Sequence, residues 1–229
     1  MDNTFIKESL AEFIGTFVLV FIGGFSVVVA PLFGLLVPAF AHGLIVIGLI
    51  YTYGHISGTQ INPAVTLGLL VGGKINVTKA GVFIGVQLFG GIIAAILIVV
   101  TMPEPAQIAL LGSTEAFNYG QTVGVLTDDY IWTAAIIEAI LTFFLVSAVY
   151  QSAVFGKSSN LASISIGFTL IACILAGGPL TGASLNPARS LGPALMAGEL
   201  DYILPYFVGL FGGGALAGIF HTYVLNTES

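Results

Sequence analysis

Two Asn-Pro-Ala triplets, Asn62-Pro63-Ala64 and Asn186-Pro187-Ala188, set a helix-capping carboxamide beside a proline suited to the first helical position. An N-cap asparagine takes an orphan backbone N–H on its oxygen, and the proline that follows has no N–H to leave unmet. The amide NH2 then stays free to donate to a passing oxygen. One such triplet is an ordinary helix start, but two need a common reason. If both helices start near the same point, their positive dipole ends meet there and disfavour a cation. A water held by both amides turns its oxygen toward them and cannot relay a proton along a water chain. The chemistry implied is passage of small neutral molecules and refusal of charge.

Arg189, the sole arginine, lies two residues beyond the second triplet's proline. At membrane depth a charge costs at least about 2.5–3.5 kcal/mol on insertion scales, so its default reading is functional. A fixed guanidinium repels cations and offers donors to water or a hydroxyl. Glu12 and Glu138 are carboxylates in apolar runs. A proton relay is one reading. The preferred one is structural: each carboxylate accepts from orphan N–H groups of the non-helical backbone that precedes a triplet. That backbone is Ser57-Gly58-Thr59-Gln60-Ile61 and Thr181-Gly182-Ala183-Ser184-Leu185. It is tolerable in a bilayer only where it lines a wet cavity, so the carbonyls of Gly58, Thr59, Gln60, Gly182, Ala183 and Ser184 are expected to serve as pore acceptors.

The elements that hold these groups are readable from composition. Of 229 residues, 57% are hydrophobic and 7% charged, too few charges to dress a water-facing surface. Six apolar stretches, about 9–30, 36–54, 80–101, 131–153, 160–177 and 203–225, are long enough to cross a bilayer as helices. Two shorter runs, about 63–71 and 187–196, follow the triplets; about ten residues of helix reach only ~15 Å, half a bilayer. The fold class expected is an all-α membrane protein of six transmembrane helices plus two re-entrant half-helices. Met1–Leu10 lacks a signal peptide's basic start, so the first run reads as a retained helix. Lys7, Lys74, Lys79 and Lys157 fall on one side of six spans, which makes that side cytoplasmic and puts both termini there. The 102–130 connection carries Glu104, Glu115, Asp128 and Asp129 with no basic residue and reads as an ordered outer loop.

The halves, about 1–115 and 116–229, repeat within a single domain. Glu12-Phe13-Ile14-Gly15-Thr16-Phe17 matches Glu138-Ala139-Ile140-Leu141-Thr142-Phe143, and Leu88-Phe89-Gly90-Gly91 matches Leu210-Phe211-Gly212-Gly213. With three spans per half the second copy enters from the opposite face, an inverted 3+3 repeat whose interrupted segments mark a pathway at the midplane. The small-residue pairs Gly81/Gly85, Gly209/Gly213 and Gly214/Gly218 are expected to let helices approach closely.

The stretches from Ser57 to Thr66 and from Gly182 to Ser190 closely resemble the signatures of the aquaporin (major intrinsic protein) family, and the resemblance extends over essentially the whole chain, including Gln87-Leu88-Phe89-Gly90. It implies a homotetramer with one pore per subunit. It also implies a selectivity filter of His42, Ile174, Ala183 and Arg189. The water-only pattern would place an aromatic at 42 and a histidine at 174. The combination found is similar to filters of plant tonoplast intrinsic proteins, some of which pass ammonia or other small neutral solutes besides water. Glycerol facilitators usually carry an aspartate after the filter arginine, where this chain has Ser190. Losing the aromatic at 42 and a bulky polar side chain at 174, with a small Ala183 opposite, implies a wider, less uniformly polar opening. A neutral His42 would present one donor and one acceptor to the lumen and, near its free value of about 6.5, gain charge.

The function expected is therefore a passive channel for water in the cell membrane, with ammonia or other small neutral solutes as further candidates. An anion-selective channel or an ion-coupled transporter of the inverted-repeat type is the rival, and would need an ion-coordinating site at the midplane. The histidines His42, His55 and His221 lie in separate segments and no catalytic or metal cluster is spaced for chemistry, so no enzyme, cofactor or metal is expected. His55 reads as a vestibule residue and His221 as interfacial. Net charge −6 leaves nothing to bind nucleic acid. The lone Cys173 can form no internal disulfide.

Overall fold

The computed structural model describes residues 3–156 and 158–225. Lys157, one of the four lysines assigned to the cytoplasmic side, lies outside them. Regular structure among the described residues is helical: α1 (Asn3–Val28), α2 (Ala30–Phe33), α3 (Leu36–Ser57), α4 (Pro63–Val71), α5 (Val77–Thr101), α6 (Glu104–Leu111), α7 (Ile131–Val149), α8 (Ala162–Thr181), α9 (Pro187–Ala197) and α10 (Ile203–Ile219). The six long helices are apolar enough and long enough to span a membrane. They leave large apolar side chains such as Leu44, Phe89, Val100, Ile136, Phe144 and Leu216 on the outside, as a lipid-facing surface requires. Tyr51, Tyr130, Trp132 and Tyr223 are exposed near helix ends, where amphipathic rings suit a headgroup layer.

α1 packs on α5 and α3, α7 on α10 and α8, and α3 on α8. The half-helices are exchanged between the repeats: α4 lies on α10, and α9 lies on α5. Glycine makes that exchange possible. A Cβ at Gly214 would lie 2.3 Å from the Ala64 carbonyl oxygen, and one at Gly91 would lie 2.5 Å from that of Ala188. The alanine of each triplet therefore faces the backbone of the other repeat. Gly209, Gly213 and Gly218 similarly admit neighbouring backbone, whereas a Cβ at Gly81 or Gly85 would meet no atom within 4 Å. That pair serves no close approach within the subunit, because it sits on an exposed face of α5.

α1 begins earlier than its apolar run. Its polar first turns are tied to α5 by the Lys79 to Glu8 ion pair at 2.9 Å, and the Lys79 ammonium also lies 5.2 Å from the Phe83 ring centroid. The 102–130 connection holds α6 and a 3-10 turn, Asp128–Tyr130. It returns to the helix bundle, where Val125 and Leu126 N–H groups cap the Pro179 and Leu180 carbonyls of α8 at 3.1 and 3.0 Å.

π-helical turns, Tyr150–Val154 and Phe220–Val224, extend α7 and α10. Their hydroxyls reach the end of α4: Tyr150 donates to the Gly68 carbonyl at 2.9 Å, while Tyr223 and Thr222 make longer contacts, 3.4 Å each, to the Val71 and Gly72 carbonyls. The last carbonyls of a half-helix inside a protein need such partners. His221 differs from its interfacial expectation. It is buried against Tyr150, ring centroids 5.8 Å apart, with Nδ1 2.9 Å from Gln151 Nε2. His55 is exposed at the end of α3.

Candidate functional site

The two non-helical stretches are built alike. α3 ends at Gly58 (φ 87) and α8 at Gly182 (φ 80), and the next residues alternate through the left-handed region at Thr59 (48) and Ile61 (42), and at Ala183 (44) and Leu185 (53). The left-handed conformation costs a non-glycine residue about 1–2 kcal/mol, so something must over-determine it. The buried carboxylates do so. Glu12 Oε1 accepts from Ser57 Oγ (2.6 Å) and the Gln60 N–H (2.9 Å), and Oε2 accepts from the Ile61 N–H (2.6 Å) and Gln87 Nε2 (2.8 Å). Glu138 takes Thr181 Oγ1 (2.6 Å) and the Ser184 and Leu185 N–H groups (2.9 Å each). With the N–H groups drawn to the carboxylates, the carbonyls turn the other way.

Both triplets start a helix on their asparagine. Asn62 Oδ1 accepts from the Ala64 N–H at 2.8 Å, and Asn186 Oδ1 from the Ala188 N–H at 3.0 Å. Each Nδ2 donates one hydrogen across to the opposite stretch: Asn62 to the Leu185 carbonyl at 2.7 Å, Asn186 to the Ile61 carbonyl at 2.9 Å. A carboxamide nitrogen carries two hydrogens. One N–H on each asparagine is thus left over, and both residues line a cavity of about 260 Å³.

That cavity is walled mainly by apolar side chains such as Val65, Leu145, Ile166 and Leu170, with Gly58, Thr59, Gln60 and Ser184 also on its surface. A second cavity, of about 220 Å³, is bounded by Ile174, Gly182 and Ala183, by α2, and by Asn118 and Gln121 of the 102–130 connection. The residue the two cavities share is His42. Arg189 lines the first beside it. Since Gly58 and Gly182 have no side chain, what they present is backbone, and the six expected carbonyl-bearing residues divide between the cavities.

The geometry at His42 differs from the sequence expectation. Its Nδ1 donates to the Pro38 carbonyl at 2.7 Å, and its Nε2 accepts from Arg189 Nε at 2.9 Å. These two bonds define one neutral tautomer. Both ring nitrogens are used, so the imidazole has no free donor or acceptor to offer the lumen. Arg189, 2% exposed, also donates from Nη1 to the Gly120 carbonyl. Among the described residues it has no carboxylate at salt-bridge distance; the ion pair found there is that of Lys79 and Glu8. A buried cation held by neutral dipoles, with no carboxylate in contact, repels another cation in a low-dielectric channel.

Several residues that shape this site escaped the sequence reading. Gly23 gives the imidazole room, since a Cβ there would lie 2.2 Å from His42 Nε2. Gly24 backs Gly120, whose own Cβ would meet Gly24 Cα and carbonyl oxygen at 2.9 Å. Thr122 Oγ1 joins Ser190 Oγ at 2.8 Å, Ser190 donates to Ser184 Oγ at 2.6 Å, and Ser184 donates to the Asn186 carbonyl at 2.9 Å. This chain of hydroxyls ties the 102–130 connection to the second triplet. The adjacent Gly23-Gly24 pair in the first span was the one local signal; nothing in the connection itself announced that Gly120 would return to Arg189.

A family model described as Major intrinsic protein matches residues 1–221. The chain is 38% identical to Aquaporin-8 of Mus musculus, over 98% of this chain and 84% of that protein. It is 36% identical to Probable aquaporin TIP1-2 of Oryza sativa subsp. japonica, over 95% of this chain and 86% of that one. Its fold matches the X-ray structure of the aquaglyceroporin from Plasmodium falciparum with a TM-score of 0.76, at 22% identity, covering 96% of this chain and 97% of that one.

Proposed function

Because the chain belongs to the major intrinsic protein family, an assignment that spans residues 1–221, we propose that it is a passive channel for water that also admits ammonia and comparably small neutral solutes, and that it refuses protons and ions. It is an integral membrane protein. One observation carries the reading: the paired asparagines each keep one N–H for a cavity that meets the outer one only at His42 among the residues lining both.

Each step of conduction derives from a named group. A solute entering from the outer cavity passes His42, Ile174, Ala183 and Arg189. There it loses its water shell and is offered the remaining guanidinium N–H groups on one side and backbone oxygens on the other. A cation meets the charge of Arg189, then the positive ends of α4 and α9. An anion finds the charge favourable but the apolar inner walls hostile. A water at the midpoint accepts from both asparagines, which orients it and breaks proton relay. Tight use of both His42 nitrogens makes the ring a wall, so size more than polarity sets the limit at that side.

In this reading the subunits assemble as a homotetramer with one pore each, in the cell membrane, with both termini in the cytoplasm. The sidedness is supported by Lys7, Lys74 and Lys79 flanking the same ends of the spans. The single domain runs over 1–229, its two inverted repeats dividing near 115.

Stopped-flow swelling of reconstituted vesicles tests the function. Wild-type protein is expected to speed osmotic water flux under a sucrose gradient and to carry no current under a salt gradient. Arg189→Val is expected to keep water flux and to admit larger solutes or cations. Ionic current through the wild-type protein, or no gain in water flux over empty vesicles, would sink the reading.

A further inference from the structure

The two repeats carry like backbones past unlike side chains. α3 and α8 each end on a glycine cap, Gly58 and Gly182, and these caps stand as far apart in the chain as Asn62 and Asn186. The same interval pairs Gly43 with Gly167, and these two meet across the repeats: a Cβ on either would lie 2.6 Å from the other's carbonyl oxygen. That reciprocal contact fixes the register of α3 against α8. In this register His42 corresponds to Ile166, Ile174 to Ile50, Ala183 to Thr59 and Arg189 to Val65. All four counterparts line the first cavity. Val65 follows Asn62 as Arg189 follows Asn186, so the counterparts belong about one helical turn to the inner side of the asparagine pair.

We propose that Ile50, Thr59, Val65 and Ile166 form an apolar inner collar, the counterpart of the selectivity filter, and that the channel refuses anions there. This deepens the channel reading and rests on it. As far as the midplane the path suits a negative charge. Arg189 stands on the outer side, the positive ends of α4 and α9 meet at the asparagines, and the carboxamides still donate. Past them an anion must part with water between hydrocarbon at Ile50, Val65 and Ile166. The one polar side chain of the collar, Thr59, has its hydroxyl turned on the Leu49 carbonyl, a long contact of 3.5 Å. The Gly58 backbone beside it brings a carbonyl oxygen, which repels an anion and accepts from water or ammonia. Stripping an ion without a partner costs far more than stripping a neutral molecule, so a constriction of this composition passes the second and stops the first.

The test uses the full chain in proteoliposomes. Chloride entry is read by a quenched internal dye, with potassium and valinomycin to balance the charge; sodium entry and water flux are read separately. Ile50→Gln and Ile166→Gln each add a carboxamide with two N–H donors to the collar, the first at a half-buried position and the second at a buried one. Each is expected to raise chloride entry about tenfold over wild type, as one hydrogen bond to a charged group would give, with no gain for sodium, which Arg189 still repels. A variant that passes water but no more chloride than wild type overturns the collar. An equal gain for sodium overturns it too, since that is general loosening. Failure of both variants to fold also overturns it, by making these side chains packing and not path. Wild-type protein that passes water and chloride removes the collar alone; wild-type protein that passes no water removes the channel reading beneath it.

Discussion

His42 Nε2 accepts a hydrogen bond from Arg189 Nε at 2.9 Å, between α3 and α9, residues 147 apart in sequence. The bond fixes the guanidinium on one side of the passage and removes the imidazole's last polar atom from it. Together with the Gly120 carbonyl on Nη1, it makes the opening a property of three segments, none of which forms it alone. The width of the passage beside His42 therefore depends on small residues behind these groups as much as on the groups themselves.

Gly23 is the first of those. Its Cβ would stand 2.2 Å from His42 Nε2, and the imidazole is a rigid ring anchored at Nδ1 on Pro38. Gly23→Ala is expected to drive the ring toward the lumen and to break its bond with Arg189, with an overpacking cost of about 1–3 kcal/mol. Water flux in vesicles should fall severalfold and the unfolding temperature in detergent should drop. If both stay at wild-type values, the ring has room that the structure does not show.

Gly120 bears on the other end of the guanidinium. It has φ 76 and no space for a Cβ against Gly24. In Gly120→Ala the left-handed conformation alone costs about 1–2 kcal/mol, and the connection must lift away, releasing Nη1. The expected outcome is a higher glycerol-to-water permeability ratio with the helices still folded. A ratio equal to wild type would mean that His42 alone holds Arg189.

The sequence announced the helices, the repeated halves and the two asparagine caps because each of these is local: apolar length, a repeated pattern, and Asn before Pro. Half-helix limits at Pro63 and Pro187 were legible for that reason. The roles of Gly23, Gly24 and Gly120 were not, since each depends on a contact between segments far apart in the chain. His42 shows the same divide. Its residue type suggested a two-faced polar group, but the Pro38 carbonyl one turn back and a distant arginine consume both nitrogens. His221, too, looked interfacial from its place near a span's end, and only the packing of α10 on α7 encloses it.

Glu12 and Glu138 should respond unequally to amide substitution. Each oxygen of Glu12 faces two donors, so a glutamine there must turn its NH2 on a pair of donors whichever way it points. Glu138 has two donors on Oε1 and one on Oε2, so a glutamine can direct its NH2 at the Leu185 N–H alone. Losing a charged acceptor costs about 1.5–3 kcal/mol per bond. Glu12→Gln is expected to lower thermal stability in detergent more than Glu138→Gln. Equal losses would indicate that the two carboxylates brace their stretches through something other than these bonds.

The filter's width can be reversed by two changes made together. Ile174 and Ala183 bound the second cavity together with His42, so a side chain placed at 174 borders the same space. In His42→Phe, Ile174→His the phenyl, larger than the imidazole it replaces, fills more of the space at 42, and the imidazole at 174 brings polar atoms to the same cavity. The opening should become narrower and more polar. Ammonia and glycerol permeability are then expected to fall about tenfold relative to water, which corresponds to about 1.4 kcal/mol of added barrier. Phenylalanine at 42 also frees Arg189 Nε, so His42→Phe alone should lose about 1–3 kcal/mol of stability for the unpaired donor. Solute reflection coefficients from vesicle swelling measure the first effect and thermal unfolding the second. Should the double variant pass the same solutes as wild type, the limit on size lies elsewhere along the two cavities than at the ring shared between them.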